Sequence, residues 1–308
     1  MRIIFMGNPK FAIPTLNAIQ KSDHDLIAIV SNPPKPIGRG RILHSTAVGQ
    51  FAKDNLIHLI EPKNLNSENL SEELKKLNPD IFVVVAYKIL PEKLLLLPRY
   101  GSINLHASLL PKYRGAGPIQ WALMNGDKNT GVTIFQIKKK IDAGDILLQK
   151  KIKIGDDDNM LSLGMRICEE GAKMVLTVLK KIEDDTIKII VQDSNKITFA
   201  PKITKEMSII NWNWQNVKIH NWIRGLSPFP GMSTFFKKRR LRIYKTSLLD
   251  GRIKNPGHVI QSSKERLIIS TGKGLLEIFE IQLEGKKKLP VREFLMGIDI
   301  NSGDIFGR

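Results

Sequence analysis

A doubly wound, mostly parallel-sheet α/β domain followed by a small β barrel is the architecture this sequence predicts. Three observations predict it. Short apolar runs alternate with amphipathic stretches from Arg2 to Ile182, the pattern of βαβ units around a parallel sheet. One run, Asp80 to Tyr87 (DIFVVVAY), is continuously apolar between Pro79 and a charged turn, as a strand buried on both faces at a sheet centre must be. Beyond Gln192 the text turns polar and turn-rich, and after one short helix it resumes as a series of short strands.

Taken in order, Arg2 to Met6 reads as the first strand, and Phe11 to Gln20, with Phe11, Leu16 and Ile19 at near-helical spacing, as the first crossover helix. Leu26 to Ser31 and Leu56 to Ile60 follow as strands, Asp80 to Tyr87 is the central one, and Ser102 to Leu105 is its neighbour. Gly131 to Ile137 and Ile146 to Ile154 are two more, and Met160 to Ile182 is a long closing helix. After the linker comes a helix over Asn213 to Leu226, which ends at SPFPG. Five strands are then predicted at Ser233 to Phe236, Leu241 to Tyr244, Gly257 to Gln261, Leu267 to Ser270 and Leu275 to Glu280. Five short strands suggest a closed, OB-like barrel, a fold that commonly binds nucleic acid. The expected division is a domain over 1–192, a linker over 193–208 and a basic domain over 209–308. No internal repeat or low-complexity tract interrupts it.

Composition bounds the partners. At 42% hydrophobic the 308 residues can bury a sizeable core, and no apolar run approaches the ~20 residues needed to span a bilayer. The amino terminus lacks the apolar core and cleavage site of an export signal, so a soluble cytoplasmic protein is expected. Cys168 is the single cysteine, which excludes an intramolecular disulfide and cysteine-held zinc and fits a reducing compartment. The net charge of +18 attracts polyanions, and it is concentrated late. Residues 209–308 hold 18 Lys and Arg against 8 Asp and Glu, a net of +10, which leaves +8 for residues 1–208. The six histidines, His24, His44, His58, His106, His220 and His258, form no HxH or HxxxH ligand pair, so no metal is expected. No GxGxxG follows the first strand, so nothing there calls for a dinucleotide.

Ligands of open α/β sheets bind beyond the carboxyl ends of the strands. There, Gly101 to Gln120 (GSINLHASLLPKYRGAGPIQ) begins as a strand and breaks into a loop punctuated by Gly and Pro. Asn104 and His106 are two apart and share one face of that strand. An amide donor beside an imidazole can hold an oxygen that becomes negative and move a proton. Asp142, in KKKIDAGDI, could orient the ring or exchange protons with it. Each also has a structural reading: Asn104 as a turn residue, His106 as a core histidine, Asp142 as a turn former.

Asn104, His106, the block SLLPKYRGAGPIQ (108–120) and GVTIFQIKKKIDAGDI (131–146) resemble the signature of folate-dependent formyltransferases. Within that superfamily the opening IIFMGNPKFAIPTL, the loop PKPIGRGR, the run VVVAYKILP, the linker TFAPKITKE and the ending GKKKLPVREFLMG are similar to the methionyl-tRNA branch, over nearly the whole chain. The resemblance implies a Rossmann-like formyltransferase domain with Asn104, His106 and Asp142 around the formyl carbon, and Ser108, Leu109, Leu110 and Pro111 along the reduced folate. It implies 10-formyltetrahydrofolate as donor, initiator methionyl-tRNA as acceptor, no metal and no membrane, in a monomer. The loop bearing Lys35, Arg39 and Arg41 is implied to reach the tRNA acceptor end. Lys237, Lys238, Arg239, Arg240, Arg242, Lys286, Lys287 and Lys288 are candidate phosphate contacts, which position RNA without reading bases.

Three features depart from the branch pattern: Pro33-Pro34-Lys35-Pro36 stands where an acidic residue is usual, a Gly after Tyr87 is missing, and Gly117 replaces Ala. A formyltetrahydrofolate hydrolase-like module or a sugar-nucleotide formyltransferase would keep the same three polar residues but gives no reason for the basic second domain. A non-enzymatic RNA-binding protein would have no use for the three together.

Overall fold

The computed structural model describes residues 1–37, 40–252 and 254–307. The chain divides into two compact units. The first comprises 1–118, 130–153 and 164–200, and the second 119–129, 154–163 and 201–308.

The elements follow in chain order: β1 (Arg2–Gly7), α1 (Ile13–Gln20), β2 (Asp25–Val30), β3 (Lys35–Ile37), β4 (Ile42–His44), α2 (Ala47–Asp54), β5 (Leu59–Ile60), α3 (Glu68–Lys76), β6 (Ile81–Val85), α4 (Glu92–Leu95), β7 (Ser102–His106), α5 (Pro118–Met124), β8 (Asn129–Gln136), β9 (Ile146–Lys153) and α6 (Met160–Glu183). The larger sheet has the order β5-β2-β1-β6-β7-β8-β9. Neighbours from β5 to β7 pair in parallel, and β8 runs antiparallel to β7. Every residue of β6 is buried, which explains its unbroken apolar sequence. One side of this sheet packs Ile4, Met6, Phe82 and Val84 against Leu70, Leu74 and Leu94 of the covering helices.

Two local readings change. The strand expected over Leu56 to Ile60 shrinks to β5, because Leu56 is 95% exposed at φ 53° and the Ile57 amide bonds back to the Ala52 carbonyl, closing the end of α2. The Pro- and Gly-rich basic loop is a two-stranded hairpin, with Lys35 opposite His44 and Pro36 opposite Leu43. Pro36 belongs in such an edge because its missing N–H breaks no central ladder.

The second unit adds α7 (Asn216–Leu226), β10 (Met232–Phe236), β11 (Arg239–Leu249), β12 (Val259–Ser262), β13 (Leu267–Ser270), β14 (Leu275–Leu283), β15 (Lys288–Pro290) and α8 (Val291–Leu295). The strands form an antiparallel sheet in the order β10-β11-β14-β13-β12, with β15 also on β14. Alternate residues of these strands, among them Met232, Leu241, Ile243, Val259, Ile269, Leu276 and Ile278, meet Ile219 and Ile223 of α7 in one core. This alternation lets β11 run eleven residues despite Arg239, Arg240, Arg242 and Lys245, since its cations fall between buried positions. β15 lies outside the five expected strands because three residues with one apolar side chain carry no periodicity.

His220 gives this unit a pH dependence. Burial, with the Arg224 guanidinium acting in the same direction, lowers its pKa from 6.5 to about 4, and its Nδ1 lies 3.0 Å from the Thr246 hydroxyl. The unfolded chain therefore binds the extra proton first. The stability from keeping the ring neutral is complete above pH ~6.5 and is lost as pH falls towards about 4, by on the order of 3 kcal/mol. Urea unfolding from pH 7 to pH 4 should show this loss in the wild type and a shallower one in His220→Gln. Parallel curves would assign the acid sensitivity to other groups.

Candidate active site

β7 carries Asn104 and His106 to its carboxyl end, locked between β6 (Val84 opposite Asn104) and β8 (Phe135 opposite Asn104, Thr133 opposite His106). Asn104 is half-buried, and no described residue bonds its side-chain amide. The His106 side chain is only 7% exposed, and its ring meets the Phe135 ring edge-on at 6.4 Å. Nε2 lies 2.8 Å from the Tyr113 carbonyl oxygen. A carbonyl only accepts, so Nε2 carries the proton and Nδ1 keeps its lone pair in the neutral ring. Nδ1 faces Asp142 Oδ2 at 3.8 Å, too long for a direct hydrogen bond but close enough for a third polar atom to touch both. An imidazolium formed at Nδ1 would have the carboxylate beside it.

The Tyr113–Gly115 turn aims these groups. Tyr113 sits at φ 61° with its amide bonded to Thr198 Oγ1 at 2.9 Å, and Arg114 pairs through its backbone with Thr198 and Ala200. Gly115 adopts φ 122°, and a Cβ there would lie 2.7 Å from the Ala200 carbonyl oxygen, so both conformation and space call for glycine. Its amide donates to Asp142 Oδ2 at 2.8 Å. Asp142 is itself left-handed, at φ 49°. The Arg114 guanidinium is buried behind it. Burial pushes its pKa down from the usual arginine range, and the Asp142 carboxylate pulls it back up. The residues gathered here therefore include Asn104, His106 and Asp142, with Tyr113 and Arg114 from within the 108–120 block and Gln192, whose Oε1 accepts from Arg114 and which no sequence pattern singled out.

Thr133 on β8 organises the SLLP segment. Its fully buried hydroxyl donates to the Ser108 carbonyl at 2.6 Å and accepts from the Leu110 amide at 3.2 Å and from Gln149 Nε2 at 2.9 Å. Ser108 is buried, with its own hydroxyl on the Lys112 carbonyl at 2.6 Å, and Leu110 packs with Phe135 and Ile146. Leu109 and Pro111 keep part of their surface open. Beside the site, Ala86 takes the left-handed φ of 51°, and burial of Tyr87, whose hydroxyl has no partner among the described residues, raises its pKa to about 12.

The candidate cations differ in freedom. Lys35 and Arg41 are exposed on the hairpin, and Arg39 lies outside the described residues. Lys238, Arg239, Lys286 and Lys287 are exposed. Arg240 is held on Ser233 Oγ at 2.8 and 3.0 Å, Lys237 lies 3.9 Å from Asp304, and Lys288 pairs with Glu280 at 2.7 Å. No group of three or more His, Cys, Asp or Glu among the described residues could hold a metal ion, and no described helix is long and apolar enough to cross a membrane.

The chain belongs to the formyl transferase class. The family model described as formyl transferase matches residues 1–179, and its C-terminal domain model matches 202–299. The methionyl-tRNA formyltransferase of Caldanaerobacter subterraneus subsp. tengcongensis is 42% identical over 99% of both chains. That of Thermodesulfovibrio yellowstonii is 43% identical over 98% of this chain and 97% of its own. The chain belongs to the methionyl-tRNA formyltransferase family. The fold is shared with WlaRD, a sugar 3N-formyl transferase crystallised in the presence of dTDP and 5-N-formyl-THF, at a TM-score of 0.68 and 22% identity over 93% of this chain and 99% of that one.

Thr133→Val keeps the side-chain shape but leaves the Ser108 carbonyl, the Leu110 amide and Gln149 without their shared partner. The expected cost is about 3 kcal/mol of stability. It should come with a severalfold rise in KM for the formyl donor, both read by denaturation and steady-state kinetics. An unchanged KM would assign this hydroxyl a purely structural role.

Proposed function

We propose that this protein transfers the formyl group of 10-formyltetrahydrofolate to the α-amino group of initiator methionyl-tRNA in the cytoplasm. The observation that carries the reading is the His106 ring, fixed by the Tyr113 carbonyl so that its basic nitrogen shares a space with the Asp142 carboxylate, next to an Asn104 amide with no partner among the described residues. A free amide donor fits a carbonyl oxygen, and a base paired with an acid fits a reaction in which one nitrogen loses a proton and another gains one.

The donor supplies an electrophilic formyl carbon; the rest is done by the chain. Asn104 donates a hydrogen bond to the formyl oxygen, which strengthens as negative charge develops there on attack by the amine. Asp142 and His106 Nδ1, together in reach of the attacking nitrogen, take up its proton, directly or through a water. The charged ring then returns a proton to the departing N10 of the folate. Because Nε2–H stays on Tyr113, all this traffic passes through one nitrogen and the ring need not flip. Leu109 and Pro111 offer surface to the reduced folate, while Ser108 and Leu110 hold the segment in shape.

The acceptor assignment rests on relatives and on charge. Family members of 42 and 43% identity carry the name methionyl-tRNA formyltransferase. The domain over 209–308 carries +10, joined through 193–208 to a catalytic domain over 1–192. The cations of the PKPIGRGR loop, Lys35, Arg39 and Arg41, engage the acceptor end. Lys237, Lys238, Arg239, Arg240, Arg242, Lys286, Lys287 and Lys288 supply a field for the phosphates, in which the exposed members contribute most.

Formyl transfer to charged initiator tRNA, with charged elongator methionyl-tRNA as control, tests the reading. Asn104→Ala and His106→Ala should each lower kcat by roughly 100- to 1000-fold with little change in KM, since they act on charge that develops in the transition state. A loss below tenfold in both would remove them from the mechanism.

The affinity for tRNA should fall with a slope of about −0.7 to −0.9 per phosphate contact in log K against log salt. Reversing Lys238, Arg239, Lys286 and Lys287 to Glu should flatten that slope. An unchanged slope would move the tRNA surface elsewhere.

A further inference from the structure

Asp142 is held at both ends by a closed ring of contacts. Its carboxylate accepts from the Gly115 amide, and Gly115 follows Arg114 in the chain. Arg114 directs Nε and Nη2 onto a single atom, Gln192 Oε1, at 3.1 and 2.6 Å. Gln192 completes the ring by donating Nε2 to the Asp142 carbonyl at 2.9 Å and to the Gly144 carbonyl at 2.6 Å. Gln192 is therefore used on both sides of its amide, as acceptor for a buried cation and as donor to the turn that bears the carboxylate.

This arrangement answers a need of the turn. Asp142 stands at φ 49°, a region that disfavours every residue with a Cβ, so the turn needs outside contacts to stay there. From the other side, Gly144 packs against the backbone of Gln136 at a distance that no Cβ would allow. The backbone bearing Gln192 is itself fixed, because Ile190 pairs with Ile146 through two hydrogen bonds of 2.8 and 2.9 Å. Arg114 gives the amide its direction: with both N–H groups on Oε1, the NH2 end must face the turn. Gln192 also lies between the two family-model matches, beyond residue 179 and before residue 202.

We propose that Gln192 is a positioning residue for formyl transfer. It holds the Asp142 turn so that Oδ2 stays beside His106 Nδ1, and Arg114 keeps the Gln192 amide turned the right way. The inference rests on the reading of Asp142 as the proton partner of His106. It does not touch substrate recognition, so its mark falls on kcat and not on KM. A displacement of about 1 Å at a reacting group costs on the order of 100-fold in rate.

The test compares wild type, Gln192→Ala, Gln192→Glu, Asp142→Asn and the double variant Gln192→Ala/Asp142→Asn in formyl transfer to charged initiator tRNA. Gln192→Glu keeps an acceptor for Arg114 but sets an anion against the two carbonyls, so it separates the grip on the turn from the pairing of the buried cation. Both Gln192 variants should lose roughly 10- to 100-fold in kcat with KM for donor and tRNA within about threefold. In the Asp142→Asn background, Gln192→Ala should cost less than about threefold, because the group it positions is already gone. If the alanine variant does not fold, the glutamate variant decides by the same kcat criterion. A wild-type kcat retained within threefold in a folded Gln192 variant, or a full and additive loss in the Asp142→Asn background, overturns the inference. An inactive wild type would instead overturn the formyl-transfer reading on which it rests.

Discussion

The hydrogen bond from His106 Nε2 to the Tyr113 carbonyl decides what the site can do, and the surrounding structure is arranged so that the bond can exist. A histidine at a strand end could expose either nitrogen, in either tautomer. Here the carbonyl, 2.8 Å away, fixes the proton on Nε2 and turns Nδ1 towards Asp142. The carbonyl can point there only because Tyr113 is left-handed, and Tyr113 stays so because its amide and that of Arg114 both end on Thr198. The segment 198–200, joined to Arg114 by an isolated bridge, thus shapes the candidate site although it contributes no reacting atom.

Tyr113, Gly115 and Asp142 all occupy positive φ within a few residues' reach of the ring. Each non-glycine member costs on the order of 1 kcal/mol locally. Such residues persist where the surroundings over-determine them, and here the surroundings are identifiable: the Thr198–Ala200 pairing, the Gln192 amide and the buried Arg114. The charges follow the same logic. Arg114 is buried next to one carboxylate, and that carboxylate reaches out past it to the histidine. Removing the arginine would leave Asp142 as an uncompensated anion in a partly buried site, so cation and turn act as one unit.

Much of this was legible in the sequence, and the limits have physical causes. The period of two that puts Asn104 and His106 on one face survives any error in strand ends, so that pair was readable. Asp142 was readable as a possible partner of His106, but its partner is 36 positions away and nothing local connects them, so the resemblance of its surroundings weighed more than spacing. Arg114 and Gln192 were unreadable for a further reason. An arginine in a Gly-rich stretch and a glutamine before a polar linker both look solvated, and their burial or engagement exists only once Ile190 has paired with Ile146. The hairpin of β3 and β4 was hidden by Pro33, Pro34 and Pro36, which read as loop because sequence alone does not show which strand edges remain unpaired.

The cations of the second domain point the same way at a coarser scale. Arg240, Lys237 and Lys288 spend part of their donor capacity on Ser233, Asp304 and Glu280, and Lys288 also covers the Tyr244 ring at 5.5 Å. Lys237 and Lys288 are partly neutralised by their carboxylates, and Arg240 is held in place, so all three are less free to follow a ligand. Lys238, Arg239, Lys286 and Lys287 are exposed without such ties among the described residues. A polyanion approaching this sheet therefore meets a long-range field set by the sum of charges, while any specific grip falls to the unpaired members. That division suits a ligand held along a phosphate backbone: the summed charge attracts it from a distance, and the exposed, untied cations are the ones able to follow its phosphates.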